Sequence, residues 1–171
     1  MRKILIVTTL LASLALSSCS ALTLKQKKQI NTKQYQGKGY EQVIKYAKIN
    51  KVSDINLALA VAKAESDGRC KLTGPRNYTG KRARGIMQVM PDTAAKWGIT
   101  KPSQLYKCST GANVGTKELA DCQRKAKNDF NKTLICYNAG PGYITKGTRW
   151  YGKIPGETKN YIKKITKYYY N

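Results

Sequence analysis

Most apolar residues of this chain fall into short amphipathic blocks. One stretch beyond the first forty residues departs from that pattern. Leu57, Ala58, Leu59, Ala60, Val61, Ala62 and Ala64 leave Lys63 as the obvious solvent-facing position between them. A helix that is apolar on every side belongs in the middle of a domain. Asp54 or Ser53 can cap its start, and Gly68 can end it. Glu65 then sits in the last turn of the most buried predicted helix. A carboxylate that is poorly hydrated favours its neutral form, which suits a general acid working near neutral pH. On this stretch alone, the simpler reading is an ordinary Glu at a frayed helix end.

The flanking pattern predicts a mainly helical α+β domain. Tyr40, Val43, Ile44 and Ala47 are spaced for an amphipathic helix over 40–49. Residues 69–84 are polar, carry Gly74-Pro75 and Gly80 as turn signals and lack a helical period, so short strands or a hairpin fit best. Pro91, Asp92 and Thr93 suit a helix start, with Gly98 as its end. A loop is predicted over 105–110. Helices are predicted over 112–127, with Val114, Leu119 and Cys122 inward, and over 130–137, with Asp129 as cap. Asn138 to Gly142 reads as an abrupt turn. A glycine-containing loop with Trp150, Tyr151 and Ile154 leads into a basic, Tyr-rich helix over 158–170.

Composition changes the picture at the chain start. Arg2 and Lys3 precede an apolar run from Ile4 to Leu16, too short to span a bilayer core of ~30 Å as a helix. Residues 1–18 therefore read as a secretory signal. Leu16-Ser17-Ser18-Cys19 resembles the lipobox of bacterial lipoproteins, which implies a lipidated Cys19 as first mature residue. Cleavage at a small residue such as Ala21, releasing a soluble protein, is the other reading. Ser20 after the cysteine, by analogy with lipoprotein sorting, points to the periplasmic face of the outer membrane. Residues 19–39, rich in Lys, Gln, Thr and Asn, read as a flexible tether, and 40–171 as the folded domain.

The 171 residues include 32 Lys+Arg, 9 Asp+Glu and no His, a formal net charge of +23. Without His, His-based triads, His general bases and His-ligated zinc are excluded. The charge favours polyanions such as nucleic acid, anionic lipid or cell-wall polymer, in a salt-sensitive way. Most individual lysines read as solvated surface, and no specific nucleic-acid site is predicted. Cys70, Cys108, Cys122 and Cys136 form an even set in an exported chain, which suggests two disulfides. Their spacing matches no zinc pattern, and no metal or cofactor is expected. Three pairings are open. A turn near Asn128 would place Cys122 opposite Cys136, which favours Cys122–Cys136 with Cys70–Cys108.

Four blocks carry chemistry when taken in order. They are Glu65-Ser66; Gly85-Ile86-Met87-Gln88-Val89-Met90-Pro91 with Thr93-Ala94; Tyr137-Asn138-Ala139-Gly140-Pro141-Gly142; and Ile154-Pro155-Gly156-Glu157-Thr158 with Tyr161. In that order and spacing, from about residue 40 to the C-terminus, they resemble the soluble lytic transglycosylase family. The resemblance implies a goose-type lysozyme-like fold with a small hairpin or sheet beside the active-site cleft. It also implies cleavage of the β-1,4 bond between N-acetylmuramic acid and N-acetylglucosamine in peptidoglycan, with a 1,6-anhydromuramic end and no water consumed. Cys108 before Asn113, and Cys136 beside Tyr137, are similar to small members that accompany secretion, pilus or conjugation machinery. Cys122 and Cys136 depart from the hydrophobic or small residues of many relatives.

The resemblance assigns roles residue by residue. Glu65 is the single acid and base, and Ser66 orients it or the acetamido group. Met87 and Gln88 line the cleft, Tyr137 and Asn138 flank the glutamate, and Tyr161 brings a hydroxyl near the reacting sugar. The residues themselves allow a check. Inverting and retaining glycosidases generally use two carboxylates, ~6.5–9.5 Å or ~5–5.5 Å apart. Only Asp67, Asp92 and Glu157 lie in or beside the blocks. Asp67 points away from Glu65 on a continuing helix, Asp92 reads as a helix start and Glu157 as a structural acceptor. Bland readings stand beside the others: core for Met87 and Val89, a packed aromatic for Tyr137, turn stabilisation for Asn138, and a loop anchor or sugar platform for Trp150. A partly packed terminal helix accounts for Tyr168, Tyr169 and Tyr170. Arg69, Lys71, Arg76, Lys81 and Arg82, with Arg84, predict a basic cleft rim. A hydrolytic muramidase using the same Glu65 and a non-catalytic basic wall- or nucleic-acid-binding protein are the competing functions.

Overall fold

A computed structural model describes residues 34–171. The predicted signal, Cys19 and most of the predicted tether lie outside the described residues. Six α-helices and one hairpin are described: α1 (Lys38–Ile49), α2 (Ile55–Ser66), β1 (Thr73–Arg76), β2 (Arg82–Arg84), α3 (Pro91–Lys96), α4 (Cys108–Lys125), α5 (Phe130–Ala139) and α6 (Gly156–Tyr170). Short 3-10 turns cover Pro102–Tyr106 and Pro141–Tyr143. The class is mainly helical α+β, as the pattern predicts.

The all-apolar helix is the centre. Residues Leu57 to Ala62 are all buried, and α2 packs against α1 on one side and α6 on another. Asp54 caps its start, accepting from the Asn56 and Leu57 amides. The helix ends at Ser66, and Asp67 takes the left-handed turn (φ 51°) one residue before Gly68. A short acidic side chain tolerates that conformation, and its carboxylate gains Lys63 (3.0 Å) and the Tyr40 hydroxyl (3.2 Å).

α1 also packs along α4, where Asn50 Nδ2 donates to Thr116 Oγ1 (2.7 Å). α4 begins at Cys108, four residues before the predicted start. Its first turn, Cys-Ser-Thr-Gly, has weak helix propensity, but tertiary packing decides: a Cβ on Gly111 would stand 2.7 Å from Leu105 O. The Cys70–Cys108 disulfide holds the same turn, and Cys122–Cys136 ties α4 to α5. These are the two pairings favoured by the predicted turn near Asn128. Asp129 caps α5 as expected.

Residues 34–39 correct the predicted tether boundary. Tyr35 is buried, stacks edge-on with Tyr40 and donates its hydroxyl to Tyr168 O (2.7 Å). A lone aromatic in a polar run has no period to announce it. The terminal helix is partly packed, as predicted: Phe130 meets both Tyr169 and Tyr170, and the Tyr169 hydroxyl bonds Asp54.

Candidate active site

The site is built where α2 ends. A reversal over residues 84–89 crosses that end, closed by paired amide–carbonyl bonds between Arg84 and Val89 (both 3.0 Å). Gly85 (φ 81°) lies so close to Leu105 O that a Cβ would stand 2.2 Å from it. Two side chains pin the reversal. Ser66 Oγ donates to Ile86 O (2.7 Å) from α2, and the Tyr137 hydroxyl donates to Met87 O (2.8 Å) from α5. Gln88 adopts a left-handed backbone (φ 44°), uncommon for a long side chain. Its amide nitrogen donates to Gly85 O (2.8 Å) and Leu72 O (3.2 Å).

A cleft of ≈ 580 Å³ opens beside this reversal, walled by the β1 end, Val89, the α5 end and Glu157. Glu65 lies in its wall. Tyr161 donates its hydroxyl to Glu65 Oε1 (2.7 Å). Burial pushes the Glu65 pKa up to about 7, against the Tyr161 hydrogen bond and the Lys164 charge, which lower it. Burial and the adjacent Glu65 carboxylate hold the hydroxyls of Tyr137 and Tyr161 well above the usual tyrosine range, so both remain neutral. A poorly hydrated carboxyl whose hydrogen-bond partner is a neutral hydroxyl can hold its proton to near-neutral pH, as a general acid requires.

The structure thus brings Glu65, Gln88, Tyr137 and Asn138 to one cleft, with Tyr161 bonded to the glutamate. It places Ser66 and Met87 differently from the expectation. Ser66 is buried with its hydroxyl on Ile86 O, and Met87 is fully buried. Met87 fits against α4 because Gly115 leaves room: a Cβ there would stand 2.4 Å from Met87 Cβ. Both support the cleft from behind. Val89, read as core, is buried and also touches the cleft. Asn138 is exposed, and its Oδ1 accepts from Thr158 Oγ1 (2.7 Å), joining the ends of α5 and α6. Trp150 stacks on Tyr143 and carries the Arg149 guanidinium 4.3 Å from its ring centre, so it anchors its loop.

Of the predicted basic rim, Arg76 lines the cleft, while Lys81 pairs with Asp92 (2.6 Å) and Arg82 donates to Gly74 O. One cleft carboxylate escaped the sequence reading. Glu118 on α4 lies in the wall, bonded to Lys96 (2.8 Å) and to Trp97 Nε1 (2.7 Å). It stands outside the four blocks. Its signal was the spacing of Glu118 and Asp121 along one helix face, opposite Lys96-Trp97.

This mainly helical domain, with its central helix ending in Glu65 at a cleft bordered by the hairpin, has a lysozyme-like fold. Residues 42–160 match the Transglycosylase SLT domain family, and the chain belongs to it. The chain is 30% identical over 132 residues to the soluble lytic murein transglycosylase of Escherichia coli K12, covering 65% of this chain and 19% of that protein. It is 31% identical over 114 residues to the transglycosylase of Enterobacteria phage PRD1, covering 67% of this chain and 37% of the phage protein. The crystal structure of the 70 kDa soluble lytic transglycosylase of E. coli superposes with a TM-score of 0.62 at 27% identity, over 75% of this chain and 23% of that one. An inactive mutant of lytic transglycosylase Slt from Pseudomonas aeruginosa shares the fold, with a TM-score of 0.59 at 22% identity over 82% of this chain and 24% of that one. The chain spans about a fifth of the length of the E. coli relative.

Proposed function

We propose that the chain is a peptidoglycan lytic transglycosylase, cleaving the β-1,4 bond between N-acetylmuramic acid and N-acetylglucosamine and leaving a 1,6-anhydromuramic end. The observation that carries the reading is the buried Glu65 carboxyl, raised to about 7, in the cleft wall of an SLT-family domain. Protonated Glu65 gives its proton to the glycosidic oxygen as the bond from muramic C1 breaks. The 2-acetamido group assists at C1. The C6 hydroxyl oxygen then bonds to C1, and its proton returns to the Glu65 carboxylate. The enzyme ends as it began, and no water enters.

Neighbouring residues have supporting parts in this scheme. Tyr161 orients the carboxyl, and Tyr137 walls it from water. Gln88, with its amide nitrogen tied to backbone, offers Oε1 to sugar. Asn138 steadies the turn that borders the cleft. Glu118 is a wall residue, its charge answered by Lys96. Arg76 and its basic neighbours meet the carboxylates of peptide stems. The signal over 1–18, a lipidated Cys19 and outer-membrane anchorage in the periplasm would place the cleft beside its polymer. Such an activity suits a secretion, pilus or conjugation machine that needs a local opening in the wall.

Digestion of purified sacculi in ¹⁸O-water tests the chemistry. Mass spectrometry is expected to find 1,6-anhydro ends without label. Labelled reducing ends would replace this reading with a hydrolytic muramidase.

A further inference from the structure

Glu65 borders a second opening besides the cleft. It is a polar hollow of ≈ 340 Å³ whose wall includes Lys63, Asp67, Arg69, Lys164 and Tyr168. Lys164 follows Tyr161 by three residues on α6, so both reach the same end of α2. Tyr161 takes the Glu65 carboxyl, and Lys164 Nζ donates to Ala64 O, one residue before it, at 2.6 Å. We propose that Lys164 is a positioning residue for this cleavage: it caps the last turn of α2 and holds a standing positive charge beside Glu65, which keeps the buried acid able to release its proton. The proposal rests on the reading of Glu65 as the proton donor.

The argument starts from the helix end. The last carbonyls of a helix lack intrahelical partners and carry partial negative charge. Lys63 O accepts the Asp67 amide (2.9 Å), and Ser66 O accepts Arg69 Nε (2.8 Å). Lys164 answers Ala64 O. Without it, partial negative charge and burial act together on Glu65, both favouring the proton. An acid held too tightly to its proton protonates the leaving oxygen poorly. The other charges nearby are already engaged. Lys63 pairs with Asp67, and Glu118 pairs with Lys96. Tyr137 and Tyr161 face the carboxyl as neutral hydroxyls, and Glu157 is exposed on the cleft wall. Lys164 is the cation whose charge lowers the Glu65 pKa against burial. Its side chain is exposed, so its field is screened by salt.

The test is kcat/KM against pH on a soluble, peptide-free glycan oligomer at low salt. The variants are Lys164→Gln, Lys164→Arg and, as a charge-matched control elsewhere on α6, Lys163→Gln. Activity of the wild type is expected to fall as Glu65 ionises near pH 7. In Lys164→Gln that limb moves to higher pH by roughly half a pH unit, a modest shift because the partner is exposed. The maximum falls a few-fold. Lys164→Arg restores the wild-type profile, and Lys163→Gln overlays it. High salt moves the wild-type limb in the same direction as Lys164→Gln, a readout that needs no variant. A limb that stays put in Lys164→Gln, or in the wild type at high salt, overturns the proposal while leaving Glu65 as the acid. A wild type with no limb near neutrality instead removes the Glu65 reading on which the proposal stands.

Discussion

Glu65 and Glu118 face the same cleft from opposite kinds of surroundings. Glu65 stands at the end of the central helix, bonded to a tyrosine hydroxyl, with no cation on its oxygens among the described residues. Glu118 belongs to a charged cluster on α4. Lys96 bridges it to Asp121, which also holds Arg124 and Lys125. Burial alone would raise Asp121, but Lys125 and Lys96 outweigh it and bring the carboxyl down to about 2. The lesson concerns burial weighed against partners. At Glu65 burial raises the carboxyl by more than the Tyr161 bond and the Lys164 charge take back, whereas at Asp121, beside Glu118 on the same helix, the lysines win.

The comparison breaks most clearly if substitution of the two carboxylates has the same effect on stability. Glu65 has its folded pKa raised from 4.5 to about 7. Its neutral form therefore favours folding fully below pH 4.5, and that contribution is lost as pH rises through about 7. Glu65→Gln is expected to be more stable than wild type at pH 8 by up to about 3 kcal/mol, and equal to it below pH 4.5. Urea unfolding at both pH values measures this. Equal midpoints at pH 8 would mean an ordinary, hydrated Glu65.

A second way to sharpen the contrast is to disturb what stands behind the acid. Gly115→Ala forces a methyl onto Met87, whose carbonyl anchors Tyr137. A loss of about 1–3 kcal/mol in stability is expected from overpacking, with weaker cleavage. Wild-type activity in a destabilised variant would uncouple Met87 from the site. The smallest effect belongs to Glu118→Gln. It is expected to lose roughly 1 kcal/mol at neutral pH and keep cleavage within about tenfold, since the proposed reaction uses one acid and this carboxylate is paired with Lys96. A loss as deep as that of Glu65→Gln would make it a second catalytic carboxylate. The Asp121 cluster adds a pH signature of opposite sign. Its contribution is present above pH 4 and fades as pH falls towards about 2.

Much of this was legible in the chain. The run from Leu57 to Ala64 announced the central helix by having no polar face. Asp54, Asp129 and Pro91 marked helix starts because capping and proline geometry are local. The four blocks, read together through their resemblance, contain Glu65, Gln88, Tyr137 and Asn138 of the cleft, and the turn at Gly140-Pro141 was legible because its residues are local. What stayed hidden depends on distant partners. Nothing local told that Ser66 would turn inward to Ile86 O, that Met87 would fill the space left by Gly115, or that Tyr35 would dock on the last helix. Glu118 takes its meaning from Lys96 and Trp97, more than twenty residues away.

The central claim is that one buried carboxyl does the chemistry. Its most direct test is the release of anhydromuropeptides from purified sacculi by Glu65→Gln, with circular dichroism showing that the fold is kept. Loss of product by roughly a hundredfold to ten-thousandfold is expected, the range a positioned general acid contributes. Sustained release of anhydromuropeptides by the folded variant would contradict the account.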